Sequence, residues 1–333
     1  MSSIDLLRPP PPYDPRAAEY KDWLHLNVLD HGSGAVGLVN ASVHGDPRDE
    51  RSRAVGAALL HVPGEGWLGN LEVLGVDEAA VGGASVALEH VAVARDNERG
   101  RILASADLPD DELRLEVTAT PASRPLPVEL PLPLGSGWIS WYALPRIELS
   151  GTAIAAGRRL DLAGASGYHD HNWGRWRWGD DLGWEWGCFL APAPGPAFVV
   201  ARTTDREHER GSPPLLTVDV GPARRSFAGA AVELALDGML EAEPRRLPGA
   251  MAALHQDRAL PRLPARARVR ADDGRDLVEL EFHPRACVQI VAAEPASRGY
   301  GFLHELAGDF AYACRLGGSL LHGRGLAVFE YVC

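Results

Sequence analysis

Residues 167–190 read GYHDHNWGRWRWGDDLGWEWGCFL. Five of the chain's nine tryptophans fall here, Trp173, Trp176, Trp178, Trp184 and Trp186, and Trp138 and Trp141 stand shortly before. Among them lie Tyr168, His169, Asp170, His171, Asn172, Asp180, Asp181 and Glu185. Alternate residues of a strand share a face. Tyr168, Asp170 and Asn172 therefore point one way, and His169, His171 and Trp173 the other. Large aromatics with a few placed polar groups suit a ligand pocket. They also suit a tryptophan-rich core seam, since Trp is well buried whatever its role. The spacing leaves open which strand face would line a pocket.

The same period of two recurs outward from this stretch. Leu24, Leu26 and Val28 alternate with His25, Asn27 and Leu29, and Asp30–Gly34 supplies a turn, so 23–43 is predicted to be a hairpin. The formal GxGxxG at Gly32–Gly37 belongs to that turn. The run after it, Leu38–His44, is too short and β-like for a dinucleotide-binding helix. Residues 84–94, 113–118, 215–220, 265–271, 278–282 and 288–292 read as strands. Residues 184–190 and 197–203 flank a Pro/Gly-rich hairpin loop. Residues 151–165 form two short strands about Ala156-Gly157, and 299–333 form two or three closing strands. Residues 121–135 are too proline-rich for a central strand. Residues 1–15 read as an extended, mobile leader, and 250–256 as a short helix. Convincing amphipathic helices are otherwise scarce, which predicts an all-β sandwich or barrel. No internal repeat stands out, though two β units of similar size fit 333 residues.

Composition narrows the function classes. A hydrophobic fraction of 46% supports a sizeable core, and a net charge of −12 argues against nucleic acid and against docking on an anionic membrane by charge. The four cysteines, Cys188, Cys287, Cys314 and Cys333, include no CxxC pair. Neither a secretion signal nor an apolar run of membrane-spanning length is present, so a cytoplasmic protein without an integral membrane span is expected. Lys21 is the one lysine, and no phosphate-loop or Schiff-base motif surrounds it.

Trp141, followed after about 25 residues by Ser166-Gly167-Tyr168-His169-Asp170-His171-Asn172-Trp173-Gly174, resembles the pattern of the carotenoid 1,2-hydratase (hydroxyneurosporene synthase) superfamily and its lipocalin-like relatives. Those relatives include two-domain bacterial proteins and lipocalin-like cyclases, some of them pericyclic. The likeness covers roughly the 50 residues from Trp138 through Gly187. The tryptophan that those hydratases tend to carry four residues before the tyrosine is Gly164 here. The resemblance implies two consecutive lipocalin-like antiparallel β-barrel or sandwich domains, placed at 12–180 and 181–333. It also implies an isoprenoid or polyketide-like substrate and a functional Tyr168/Asp170 pair.

The residues suggest a chemistry for that pair. Desolvation raises a carboxyl's pKa, so Asp170 in an apolar pocket can stay protonated and act as a general acid. Protonating a trisubstituted alkene gives a tertiary cation that indole and phenol faces stabilise without trapping. Water then adds, or an internal group closes a ring, and no cofactor is needed. The expected site has Asp170 and Tyr168 as the catalytic pair. Trp138, Trp141, His169, His171, Asn172, Trp173, Trp184 and Trp186 are expected against a lipophilic small molecule. Asp170 as a purely structural carboxylate is the competing reading. The His169-x-His171 pair would need a third metal ligand, and His304 or Glu305 cannot be placed from the sequence, so no metal is expected. Three functions fit: an acid hydratase or cyclase, a pericyclase, and a non-catalytic carrier.

Overall fold

Alternating side chains draw this chain almost wholly into antiparallel strands. The computed structural model describes residues 4–127, 131–221, 223–248, 263–294 and 299–333, and the helix expected at 250–256 lies outside them. Among the described residues the only helical segments are short 3₁₀ turns such as Ala17–Glu19. Among the described residues no helix is long and apolar enough to cross a membrane. The fold of the described residues is lipocalin-like and all-β. It divides into two compact units, Met1–Arg177 and Trp178–Cys333.

Strands of at least six residues carry the numbers. The first unit holds β1 (Tyr20–Asp30), β2 (Ala35–His44), β3 (Arg53–Val62), β4 (Gly66–Gly75), β5 (Val91–Asp96), β6 (Arg101–Leu108), β7 (Leu113–Pro121), β8 (Gly137–Ala155) and β9 (Ser166–Arg175). Their order across the sheet is β4-β3-β2-β1-β9-β8-β7-β6-β5. The sheet curls so that β5 packs over β1–β3 as a half-barrel. Leu24, Leu26 and Val28 of β1, Val39 and Ala41 of β2, and Val91 and Val93 of β5 meet in its core. Gly34, at φ 77°, closes the β1–β2 turn, which confirms the hairpin reading of the GxGxxG.

The second unit holds β10 (Gly183–Leu190), β11 (Ala197–Thr204), β12 (Leu215–Val220), β13 (Ala223–Ala228), β14 (Val232–Asp237), β15 (Arg266–Asp272), β16 (Leu277–Ala293), β17 (Tyr300–Leu316) and β18 (Ser319–Val332). Its order is β13-β12-β11-β10-β18-β17-β16-β15-β14, the order of the first unit with nine added to each label. In both units the last strand pairs with the first, and the chain descends from there. Phe189, Phe198, Phe282, Phe310 and Phe329 fill the second core, with Phe189 edge-on to Phe282 and Phe310 at 5.7 and 5.5 Å.

Two long strands bend at a Pro-Arg pair. Pairing of β8 with β9 slips between Leu144 and Ile147, around Pro145-Arg146. Pairing of β16 with β17 slips between Pro284 and Ala286. Proline cannot donate to a ladder and is tolerated at such bulges. Hence the two strands expected at 278–282 and 288–292 are one strand. The stretch 84–94 goes the other way, broken into Ser85–Ala87 and β5 by a turn at Leu88–His90.

The leader corrects the sequence expectation most. Asp5 is 1% exposed, and Ile4 and Leu7 pack against the first core. Residues 4–8 are docked rather than mobile, because Asp5 and the adjoining backbone find partners far along the chain.

Candidate active site

Strand β9 is the centre of the first sheet, between β1 and β8. Tyr168, Asp170 and Asn172 lie opposite Asn27, His25 and Trp23 of β1. Asp170 and Asn172 also lie opposite Ala143 and Trp141 of β8. This face is turned away from the core. Gly167 and Gly174 bracket the run, and a Cβ on either would come within 2.3 Å of a neighbouring carbonyl, Asn27 O or Trp138 O. Only glycine lets the flanking strands close to that distance.

The Tyr168 hydroxyl donates to Asp170 Oδ2 at 2.9 Å, and Asn172 Nδ2 donates to Asp170 Oδ1 at 2.5 Å. Tyr168 is fully buried, and Asp170 and Asn172 are 6% and 7% exposed. Two influences oppose each other on this carboxyl. The donated bonds favour its charged form, and burial favours the acid. Across from it, burial pushes His25 down to about 4, so that ring is a neutral imidazole at ordinary pH. Asn40 Nδ2 contacts His25 Nδ1 at 3.5 Å. Trp141 is buried on the same face, and its indole nitrogen is enclosed without a hydrogen-bond partner among the described residues. An unmet buried donor costs about 1–3 kcal/mol. Such a donor is met by a bound water, by an ion or by the acceptor of a ligand.

His169, His171 and Trp173 face the other way, toward the core. His169 bonds the His25 carbonyl at 2.8 Å and Asp5 Oδ1 at 2.9 Å. His171 bonds the Ile4 carbonyl at 2.8 Å and Asp22 Oδ1 at 2.7 Å. The Arg8 guanidinium lies 3.9 Å over the Trp173 ring. Trp138 sits edge-on to Tyr20 at 6.3 Å and pairs with Arg175, two places on from Trp173 and on the same face. The structure thus brings Tyr168, Asp170, Asn172 and Trp141 together, and sets His169, His171, Trp173 and Trp138 on the opposite face. Lys21 is fully buried and donates to the Glu19 and Trp176 carbonyls. The one metal-like grouping among the described residues is Glu72, Glu89 and His90, near the surface. Its Glu72 oxygens already accept the backbone amides of Glu89, His90 and Val91.

Trp184 and Trp186 belong to the second unit. They lie on β10, on the face opposite Phe189 and its core. Trp186 pairs with Glu330 of β18, and Glu330 pairs in turn with Glu305 of β17. Trp184 Nε1 donates to Glu330 Oε2 at 2.7 Å. Desolvation pushes the Glu330 carboxyl up to about 7, against the pull of that bond. Glu330 stands on the last strand of its unit, as Asp170 does on β9. Sequence reading missed it, although an acidic residue between Phe329 and Tyr331 in an apolar strand was a usable signal. On the core side of β10, Glu185 is fully buried. It takes Arg202 Nε at 2.5 Å, Arg202 Nη2 at 2.8 Å and His208 Nδ1 at 2.9 Å.

No family model matches the sequence, and no curated protein matches it. Solved structures do. A protein assigned as AttH from Nitrosomonas europaea superposes with a TM-score of 0.67 at 15% identity, over 93% of this chain and 92% of that one. Kievitone hydratase from Nectria haematococca gives 0.61 at 12% identity, over 99% and 94%. CghA, in its complex with Sch210972, gives 0.58 at 14% identity, over 94% and 88%. The chain shares their fold from end to end, as the resemblance of the 138–187 segment implied.

Proposed function

We propose that this protein is a cofactor-independent hydratase or cyclase that protonates a lipophilic, unsaturated, isoprenoid-type molecule through Asp170. One observation carries the reading: the Tyr168–Asp170–Asn172 set lies buried on the face away from the core, beside the enclosed Trp141 indole donor. Structural similarity to a hydratase supports it. In the proposed step the Asp170 O–H bond breaks, and its proton forms a C–H bond at the less substituted alkene carbon. The tertiary cation is held against aromatic faces. Water attacks, and its spare proton returns to the Asp170 carboxylate, or an internal double bond closes a ring and the resulting cation gives up a proton from carbon to that carboxylate. Tyr168 and Asn172 orient the carboxyl.

The test is incubation of a lipophilic extract in D₂O with wild-type protein and with Asp170→Asn, read by mass spectrometry. The expected product is one water heavier than its precursor, or isomeric with it, carries a carbon-bound deuterium, and is absent with the variant. An isomeric product without carbon-bound deuterium would instead support a pericyclase. Retention of a compound without conversion would support a carrier.

Trp141 gives an independent expectation. Trp141→Phe keeps an aromatic face and removes a donor that has no protein partner among the described residues, so thermal stability should hold while KM rises. Trp141→Ala should also lower kcat, by about tenfold or more, because the ring that faces the cation is gone. Equal loss of stability in both variants, with unchanged KM, would mark the residue as core.

A further inference from the structure

We infer that the molecule turned over at Asp170 is not a bare hydrocarbon: it carries a neutral oxygen acceptor, a carbonyl, ether or hydroxyl, held by the Trp141 indole N–H several bonds from the reacting alkene. The inference rests on the Asp170 reading for the place of the alkene and adds a second point by which the molecule is held.

Trp141 supplies the first observation. It is 7% exposed, stands directly across from Asn172, and keeps its indole nitrogen enclosed without a partner among the described residues. An indole N–H can only donate. A hydrocarbon would leave this donor unmet after driving water from the face, and an oxygen acceptor would meet it. An anionic oxygen would oppose the carboxylate that Asp170 becomes once it has given its proton, so the acceptor is neutral.

The rest of the face supplies the second. Strands β1 and β2 set His25, Asn27, Asn40 and Ser42 beside the Tyr168–Asp170–Asn172 run. Asn27 is fully buried, and Ser42 and His25 are also buried. Asn27 Nδ2 reaches the Gly37 carbonyl at 3.5 Å, and Ser42 Oγ donates to the Val55 carbonyl at 3.0 Å. Amides, an imidazole and a hydroxyl make a poor bed for a hydrocarbon, which returns none of the bonds that such groups lose with their water. They suit a molecule with polar and apolar parts.

Register places the oxygen. Trp141 pairs with Asn172, and Asp170 is the next residue of β9 on the same face, so the two stand on a diagonal. Such a diagonal is about 7–8 Å. The oxygen therefore sits several bonds away from the carbon that Asp170 protonates. Two fixed points choose which alkene of a longer chain meets the acid. A site that bonds a substrate oxygen also rejects the analogue lacking it far more strongly than a hydrophobic wall rejects a missing methylene.

The probes are citronellol and citronellal, which carry one trisubstituted alkene and an oxygen several bonds from it, and the alkene that lacks only that oxygen. Their affinities are measured on wild-type, Trp141→Phe and Asp170→Asn protein. The preference for the oxygenated probes over the hydrocarbon should shrink about tenfold in Trp141→Phe, the worth of one buried partner. It should persist in Asp170→Asn. Citronellal should match citronellol, because a carbonyl can only accept. In nitrogen-15 spectra of the wild type, which need no variant to fold, the Trp141 indole proton should move downfield with both oxygenated probes and stay in place with the hydrocarbon. A preference unchanged by Trp141→Phe, an indole signal indifferent to the oxygen, or failure of both oxygenated probes to bind would each overturn the inference. Carbon-bound deuterium in the D₂O experiment would then still support the acid step. The indole response without any deuterium uptake would instead end the acid step and keep the oxygen contact.

Discussion

Asp170→Asn is expected to fold, to keep the lipophilic ligand, and to lose about 10²–10⁴-fold in turnover, the usual worth of a positioned general acid. The amide preserves size and can still meet the Tyr168 hydroxyl 2.9 Å away. It cannot release a proton to carbon. Wild-type activity should fall as pH rises through the Asp170 pKa, because the acid form is the reactive one, and the variant's residual activity should be flat in that range. Tyr168→Phe should cost less, since it removes an orienting hydroxyl and one bond that favours the carboxylate. Its pH profile should move upward, as losing a donor to the charged form raises the pKa. A folded Asp170→Asn protein with near-wild-type turnover would end the acid reading and leave the pericyclase and the carrier.

The part of the fold that could be read from the sequence was local. The β1–β2 hairpin, β7, the β10–β11 hairpin and β12 follow from period two and turn chemistry, and so does the division of Tyr168, Asp170 and Asn172 from His169, His171 and Trp173. Which face looks inward was not legible. Strand β9 is buried on both sides from Ser166 to Asn172, so polar residues stand on both and no apolar face advertises itself. The opposition of Trp138 and Trp141 was readable, because an odd spacing of three puts two strand residues on opposite faces. The leader was misread because its prolines signal an extended chain and say nothing of partners. His169 lies 164 residues from the Asp5 that it holds. The shared strand order of the two units leaves no sequence repeat, since topology is set by which strands pair and not by side-chain identity. Both units nonetheless carry a carboxyl on the last strand, away from the core, with an aromatic donor: Asp170 with Tyr168, and Glu330 with Trp184.

Arg202→Met is expected to destabilise the second unit by about 3 kcal/mol, toward the low end for breaking a buried pair, because His208 remains. Arg202 stands directly across from Glu185 on β11 and grips both its oxygens. Burial alone would push the Glu185 carboxyl up. The hydrogen bonds from His208 and Arg202, with their charges, outweigh it and hold the carboxyl below the ordinary range. In the wild type this carboxylate therefore contributes stability above the ordinary glutamate value, and that contribution is lost as pH falls through the lowered one. Removing Arg202 leaves burial opposed by His208 alone, so the folded-state pKa should climb past its unfolded value. The sign then reverses: the variant should gain stability on acidification from its raised value down to the ordinary glutamate value, whereas the wild type loses stability only below that ordinary value. Denaturant midpoints across pH 3–8, with hydrogen exchange assigning the loss to β10 and β11, measure both effects. Adding Glu185→Leu should restore most of the stability and abolish the slope, because no buried charge is left without its partner. A constant offset from wild type at every pH would show that Arg202 acts through packing rather than by holding the Glu185 charge.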